Sequence, residues 1–263
     1  MRGAPPVRKR FGQHFLNQPA VARRIVELAG LDGSETVLEI GPGRGALTDL
    51  LLERTARLVL VEIDRDLATL LRERYREESR VTVVEGDVLE LELTTLLGAG
   101  KPAKVVANLP YNVSTPVLMQ LLETPSLFSR LVLMLQREVV DRLAAEPSSK
   151  DYGALSVMVQ LVADVRSAFR VSSGCFTPAP RVDSAVVVIE PHRPQRLSTE
   201  QLETVRRVVR GSFTQRRKQL GNALRPVTSS AREVLLRAGI SPERRPETLT
   251  PAEFVRIAAA LAA

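Results

Sequence analysis

The stretch Glu39-Ile40-Gly41-Pro42-Gly43-Arg44-Gly45-Ala46 constrains this chain more than any other. It follows the short apolar run Thr36-Val37-Leu38, which favours a strand. It precedes Leu47-Thr48-Asp49-Leu50-Leu51-Leu52, whose apolar run favours a helix. Strand, glycine-rich turn and helix start are the local arrangement from which α/β folds build nucleotide pockets. Alternating glycines permit a tight turn and a close approach of ligand to backbone. The helix N-terminus adds free N–H groups and partial positive charge.

Two ligand classes fit this turn. Gly41-x-Gly43-x-x-Ala46 satisfies the dinucleotide pattern, and Glu62 lies about 20 residues on, where a ribose-binding acid is expected. Glu39-x-Gly41-x-Gly43-x-Gly45 equally resembles the E/D-x-G-x-G-x-G of class I S-adenosylmethionine (SAM) methyltransferases. The loop by itself leaves both open.

The chain around it alternates strands and helices. Residues 19–30 read as a helix with Val21, Ile25, Val26 and Leu28 apolar. Arg57 to Asp64 form a second strand, a continuous apolar run of the kind covered on both faces, ending in Glu62 and Asp64. A charged helix over 65–78 and a third strand, Val81 to Val84, follow. That strand ends in Glu85-Gly86-Asp87, where Asp87 is placed either to accept an adenine amino group or to cap a loop. The fourth strand, Lys104 to Ala107, ends in Asn108-Leu109-Pro110-Tyr111-Asn112. Ser114 or Thr115 is a suitable cap for the helix at 114–122. A fifth strand spans Leu131 to Leu135, with helices at 137–145 and 154–162 and β-prone runs near 164–171 and 183–190. The pattern predicts an α/β, doubly wound Rossmann-like sheet of parallel strands over residues 1–190. Pro191, His192 and Pro194 break the chain, and residues 191–263 predict a small all-α domain with helices at 198–211, 215–223, 231–238 and 251–261.

Charge follows this division. Residues 191–263 hold 14 Lys+Arg and 6 Asp+Glu, a balance of +8, while residues 1–190 hold 23 and 24, a balance of −1. A basic tail on a near-neutral body implies a polyanionic partner, nucleic acid foremost. Residues 1–8 read as disordered. Next, Lys9-Arg10-Phe11-Gly12-Gln13-His14-Phe15-Leu16 interleaves basic residues with rings in a chain of only 4% aromatics. Such a segment suits phosphate and base contacts, or a hydrophobic staple for the helix after Pro19. The single cysteine, Cys175, excludes an internal disulfide and reads as a buried thiol. No apolar run approaches a membrane span and no secretory leader is evident, which predicts a cytoplasmic protein.

Asn108-Leu109-Pro110-Tyr111 separates the two ligand classes. It ends the fourth strand, across the carboxyl edge from the glycine turn, where open α/β sheets bind ligands. An exocyclic amine on a purine is a poor nucleophile because its lone pair is delocalised into the ring. Two acceptors for its hydrogens draw the nitrogen toward tetrahedral geometry. The Asn108 carbonyl and a backbone carbonyl at Pro110 are candidates, and Tyr111 can stack on a base that has left its helix. Nothing here suits hydride transfer.

With these residues in view, the chain resembles the ribosomal RNA adenine N6-dimethyltransferases of the KsgA (RsmA)/Dim family, to which the erythromycin-resistance methylases are related. The resemblance rests on FGQHFL (11–16), EIGPGRGALT (39–48), VEID (61–64), GDV (86–88), NLPY (108–111) and FTPAPRVDSAVV (176–187), in family order. It implies SAM as methyl donor, no metal, and N6,N6-dimethylation of two adjacent adenosines near the 3' end of small-subunit (16S) ribosomal RNA, with a role in small-subunit biogenesis. It further implies that His14 and Leu16 line the SAM site, Gly41 touches the methionine portion, Glu62 the ribose, Asp87 the adenine amino group, and Asn108 the transfer site. Asn is frequent in the family at the position of His14. Tyr111 and Phe176 are expected to sandwich the target adenine, with Phe176 exposed on the Thr177-Pro178 turn. The partners expected are the small subunit and its RNA, for a monomer that needs no membrane. Two alternatives share the resemblance: an assembly factor whose main work is binding, and a large-subunit methylase of the erythromycin-resistance type.

Overall fold

The computed structural model describes residues 7–8, 11–98, 100–215 and 218–262. Most of the N-terminal segment expected to be disordered lies outside these residues, as do Lys9, Arg10, Arg216 and Arg217 of the basic clusters. Arg8, in contrast, is held: its guanidinium pairs with Asp64 at 3.2 Å and with Asp66.

Strands β1 (Phe15–Leu16), β2 (Thr36–Ile40), β3 (Arg57–Glu62), β4 (Val81–Glu85), β5 (Ala103–Asn108), β6 (Phe128–Gln136), β7 (Ala163–Val171), β8 (Phe176–Thr177) and β9 (Ser184–Pro191) follow in chain order. Seven of them make one sheet in the order β4-β3-β2-β5-β6-β9-β7, and β1 pairs with β8 in a separate two-stranded ladder. The sheet is parallel from β4 to β6, as the alternating pattern predicts, but β9 runs antiparallel to β6. The expectation of an all-parallel sheet is corrected there. Only a single 3-10 turn, Ser173–Cys175, and the two-residue β8 lie between β7 and β9, so the chain returns by a short path that reverses direction.

Between the strands lie α1 (Pro19–Leu28), α2 (Thr48–Leu52), α3 (Arg65–Arg74), α4 (Leu93–Leu97), α5 (Ser114–Glu123), α6 (Arg137–Leu143) and α7 (Ala154–Gln160). Beyond β9 come α8 (Thr199–Thr214), α9 (Leu220–Ala223), α10 (Ala231–Arg237) and α11 (Pro251–Ala262). Asp64 caps α3 by accepting the Asp66 N–H at 3.0 Å. Helix α5 is different from its prediction: Val113 is its N-cap, without a side-chain bond, and Ser114 instead donates to the Tyr111 carbonyl at 3.2 Å. The hydroxyl thereby stiffens the loop before the helix. None of the described helices is long and apolar enough to cross a membrane.

Two compact units emerge. One runs to Val140 and adds Arg166–Pro191; the other joins Asp141–Val165 to the chain from His192 onward. The break after Pro191 falls one residue beyond the boundary expected between 190 and 191, and residues 141–165 pack with the helical tail. The reason lies in contacts remote in sequence. Tyr152 is fully buried, its hydroxyl donates to the Leu249 carbonyl at 2.7 Å, and its ring meets Phe213 edge-on at 6.4 Å. In the first unit, Leu58, Leu60, Val106, Val132, Val186 and their neighbours on β3, β5, β6 and β9 form a continuous buried core.

Candidate active site

Strand register sets the site. Ile40 lies beside Val61 on one side and Ala107 on the other, so Gly41, Glu62 and Asn108 leave adjacent strand ends on one edge. Gly41 adopts φ +68°, and a Cβ there would come within 3.8 Å of the Asn108 carbonyl oxygen and 3.9 Å of Pro110 Cδ. The glycine turn and the Asn108–Tyr111 loop are thus in direct apposition. Between them opens a cavity of ≈ 310 Å³. That lies within the range of small-molecule sites. Of the sequence-predicted site residues, His14, Leu16, Gly41, Glu62, Asp87, Asn108, Pro110 and Tyr111 all line it, although they come from five separate segments.

The N-terminal segment forms one wall. β1 pairs antiparallel with β8, matching Phe15 to Thr177 and Leu16 to Phe176. The Phe15 ring lies on Gly43, where an added Cβ would sit only 3.1 Å from ring carbons, and the Arg44 guanidinium covers the ring at 4.4 Å. Gly43 also has φ +58°, so both its backbone and its neighbour demand glycine. Gln13 donates to Asp64 at 2.9 Å and accepts the Arg8 N–H at 2.8 Å, which ties this segment to the end of β3.

The acidic residues divide by environment. Both oxygens of Glu62 accept backbone N–H groups, from Gly43 at 3.0 Å and Asp64 at 2.9 Å. A carboxylate has about four acceptor positions, so the oriented group retains capacity for ribose hydroxyls. Burial raises its pKa above the usual carboxylate range. Asp87 accepts the Leu89 N–H at 3.0 Å through one oxygen, and its second oxygen takes no hydrogen bond from the described residues. Capping and ligand binding, posed as alternatives from sequence, are therefore compatible.

Glu39 is a site residue that sequence reasoning used only as a motif letter. It lines the cavity, is 1% exposed, and accepts the Thr48 hydroxyl at 2.8 Å. Burial pushes its carboxyl up to about 8. The signal was an acid inside an otherwise apolar strand. Because the folded pKa lies above the unfolded one, the protonated form's contribution is present below the ordinary carboxylate range and lost as pH rises toward 8. Wild-type stability should fall between about pH 5 and 8, and Glu39→Gln should flatten most of that decline, leaving the part due to Glu62. Urea unfolding across that range is the check; equal slopes in the two proteins would refute it.

Around Asn108 the geometry is specific. Its Nδ2 donates to the His14 backbone carbonyl at 3.1 Å. That fixes which end of the amide faces the N-terminal segment and commits Oδ1 to the other direction as a pure acceptor. The Pro110 carbonyl closes a turn by accepting the Val113 N–H at 3.2 Å, so one of its two acceptor positions is engaged. The His14 ring stacks on Tyr111 with centroids 5.6 Å apart, and its Nδ1 meets the Pro178 carbonyl at 2.7 Å. The Tyr111 hydroxyl bonds Ser184 Oγ at 2.7 Å, and burial raises its pKa.

Phe176 departs from expectation. It is 3% exposed and belongs to the core with Leu16, Val171 and Val186. It does not line the cavity, and Thr177 does. Strand alternation explains this: in a two-residue strand one side chain faces in and the next faces out. The exposed ring expected opposite Tyr111 is absent, and the ring that Tyr111 meets is His14. Cys175 is half-buried rather than buried. Among the described residues, no group of three or more His, Cys, Asp or Glu gathers as a metal site.

The chain is similar to known proteins in both sequence and fold. The profile of the family described as "Ribosomal RNA adenine dimethylase" matches residues 6–263. The chain is 48% identical over 97% of its length to the "Ribosomal RNA small subunit methyltransferase A" of Geobacter sulfurreducens, covering 95% of that protein. It is 46% identical over 97% of its length to the protein of the same name from Geobacter metallireducens, covering 96% of it. Among solved structures, a dimethyladenosine transferase from Plasmodium falciparum superposes with TM-score 0.81 at 25% identity, covering 93% of this chain and 96% of the other. The 23S rRNA methyltransferase ErmE superposes with TM-score 0.74 at 27% identity, covering 95% of this chain and 100% of the other.

Proposed function

The chain belongs to the ribosomal RNA adenine dimethylase family, and on that premise we propose that it dimethylates N6 of two adjacent adenosines near the 3' end of small-subunit ribosomal RNA, with SAM as donor. The observation that carries this reading is the Asn108 amide, anchored through Nδ2 to the His14 carbonyl with Oδ1 left as an acceptor, on a residue whose backbone faces the glycine turn. Relatives named for the small subunit share 42–48% of their residues with this chain, which favours that substrate over the large subunit.

The cavity's own residues suit the donor. Glu62 and Asp87 present oriented carboxylates at the ends of β3 and β4, and the glycine turn offers backbone at close range. Bound there, SAM supplies a methyl group on a sulfonium, an electrophile that needs no further activation. The protein's task is then to place the amine. Asn108 Oδ1 accepts one amino hydrogen, and the Pro110 end of the loop offers a carbonyl for the other. Tyr111 holds the base plane. Positioning of this kind can supply ~7–11 kcal/mol of a barrier. Transfer forms the N6–C bond as the S–C bond breaks, and the amine's proton leaves to solvent. A second round with fresh donor gives the dimethylated product. The basic tail, with its +8 balance, serves the RNA.

The test is incubation with labelled SAM and unmethylated small subunits, with and without chelator, followed by mapping of the labelled nucleotide. Label on adjacent small-subunit adenosines in both conditions is expected. Label confined to large-subunit RNA, or turnover abolished by chelator, would overturn the reading.

A further inference from the structure

The antiparallel strand β9 has a consequence for the acceptor site. Because it runs against β6, its first residue, not its last, lies at the sheet edge where Asn108 and Tyr111 emerge. That residue is Ser184, paired with Gln136 at the end of β6 and fully buried. Met134, two residues earlier on β6, pairs with Asn108, and its carbonyl accepts the Leu109 N–H at 3.2 Å. The Tyr111 side chain therefore reaches past the end of β6 to place its hydroxyl 2.7 Å from Ser184 Oγ.

We propose that Ser184 is a positioning residue for methyl transfer, fixing the plane of the Tyr111 ring so that a stacked adenine presents its amine to Asn108. Three observations converge on this role. The loop backbone is pinned by Ser114 Oγ on the Tyr111 carbonyl and by Val113 N–H on the Pro110 carbonyl, which leaves rotation about the Tyr111 side-chain bonds as the remaining freedom. The hydroxyl–hydroxyl bond removes that freedom from the far end of the ring. Its anchor sits on a strand flanked by β6 and β7, and the pairing with β6 runs on past it, where Arg137 N–H bonds the Asp183 carbonyl at 3.0 Å. The Asp183 side chain, in turn, accepts the Ser173 N–H at 3.1 Å, so the residue before Ser184 is fixed from both ends.

The inference rests on the reading of this site as an adenine methyltransferase. Its test is a double-mutant cycle in single-turnover methylation of small subunits, with SAM affinity measured for each protein. Ser184→Ala and Tyr111→Phe each break the same bond, from opposite ends, and each should slow transfer by roughly tenfold, the scale of one net hydrogen bond. The double variant should be no slower than either single one, and SAM affinity should be unchanged throughout. Additive losses, a Ser184→Ala protein at the wild-type rate, or a parallel loss of SAM affinity would each overturn the proposal. Should Ser184→Ala fail to fold, Tyr111→Phe decides alone: a tenfold loss supports the role and a wild-type rate overturns it. A wild-type protein that methylates no adenine would sink the underlying reading and this inference with it, whereas active wild type beside unaffected variants sinks the inference only.

Discussion

Asn108→Ala is expected to slow single-turnover methylation by ~10²–10³-fold, the loss seen when one preorganised polar partner of a reacting group is removed, while small-subunit binding stays near wild type. On the proposed reading the amide is one of two acceptors for the adenine amine, whereas the positive charge offered to RNA is spread over the 14 Lys+Arg of residues 191–263. Asn108→Asp should not restore the rate. The carboxylate keeps an acceptor but loses the donor that bonds the His14 carbonyl at 3.1 Å, and two oxygens would then face each other there. The side chain would turn away and carry its remaining acceptor off line. Turnover of either variant at the wild-type rate would show the site to be misplaced. A matched fall in RNA binding and rate would instead make Asn108 a docking or folding residue.

Phe176→Ala should cost ~3–5 kcal/mol of stability in urea unfolding, the usual range for emptying a buried aromatic site. The ring is 3% exposed and packs with Leu16, Val171 and Val186, so its deletion leaves a cavity in the core. Phe176→Leu, closer in volume, should cost less than ~1.5 kcal/mol and retain methylation. The opposite pattern, a stable protein with little turnover, would restore Phe176 as a stacking wall for the base. These outcomes separate packing from stacking because leucine fills space but offers no ring face.

How legible the site was in the sequence depends on the range of the forces that place each residue. Gly41, Glu62, Asp87 and Asn108 sit at the ends of apolar runs, and in a parallel sheet the ends of such runs share an edge. Alternation and turn chemistry therefore suffice to bring them together. The inward turn of Phe176 hangs on a two-residue ladder with β1, and no local pattern reports a partner so far along the chain. Residues 141–165 pack with the helical tail for a reason equally remote in sequence: the Tyr152 hydroxyl donates to the Leu249 carbonyl, 97 positions on. Glu39 was visible as a letter of the glycine motif, but its burial, and so its raised pKa, follows from packing on both faces of β2. Ser184 became meaningful only once β9 was found to run antiparallel.

The ladder between β1 and β8 also bears on the order in which the protein is made. Asn17 bonds Thr177 at 2.8 Å across 160 positions of chain, and His14 reaches Pro178 across 164. The N-terminal segment leaves the ribosome first, yet its partners are synthesised only after β2 to β6 have emerged. Closing so long a loop carries an entropic cost that a two-residue ladder cannot offset until the sheet already holds both ends near each other. On this argument the β1–β8 part of the cavity wall is expected to form late, after the strands on either side of the loop are in place. A nascent chain stopped short of residue 176 should carry the glycine turn and Asn108 in a formed edge and still fail to retain the donor.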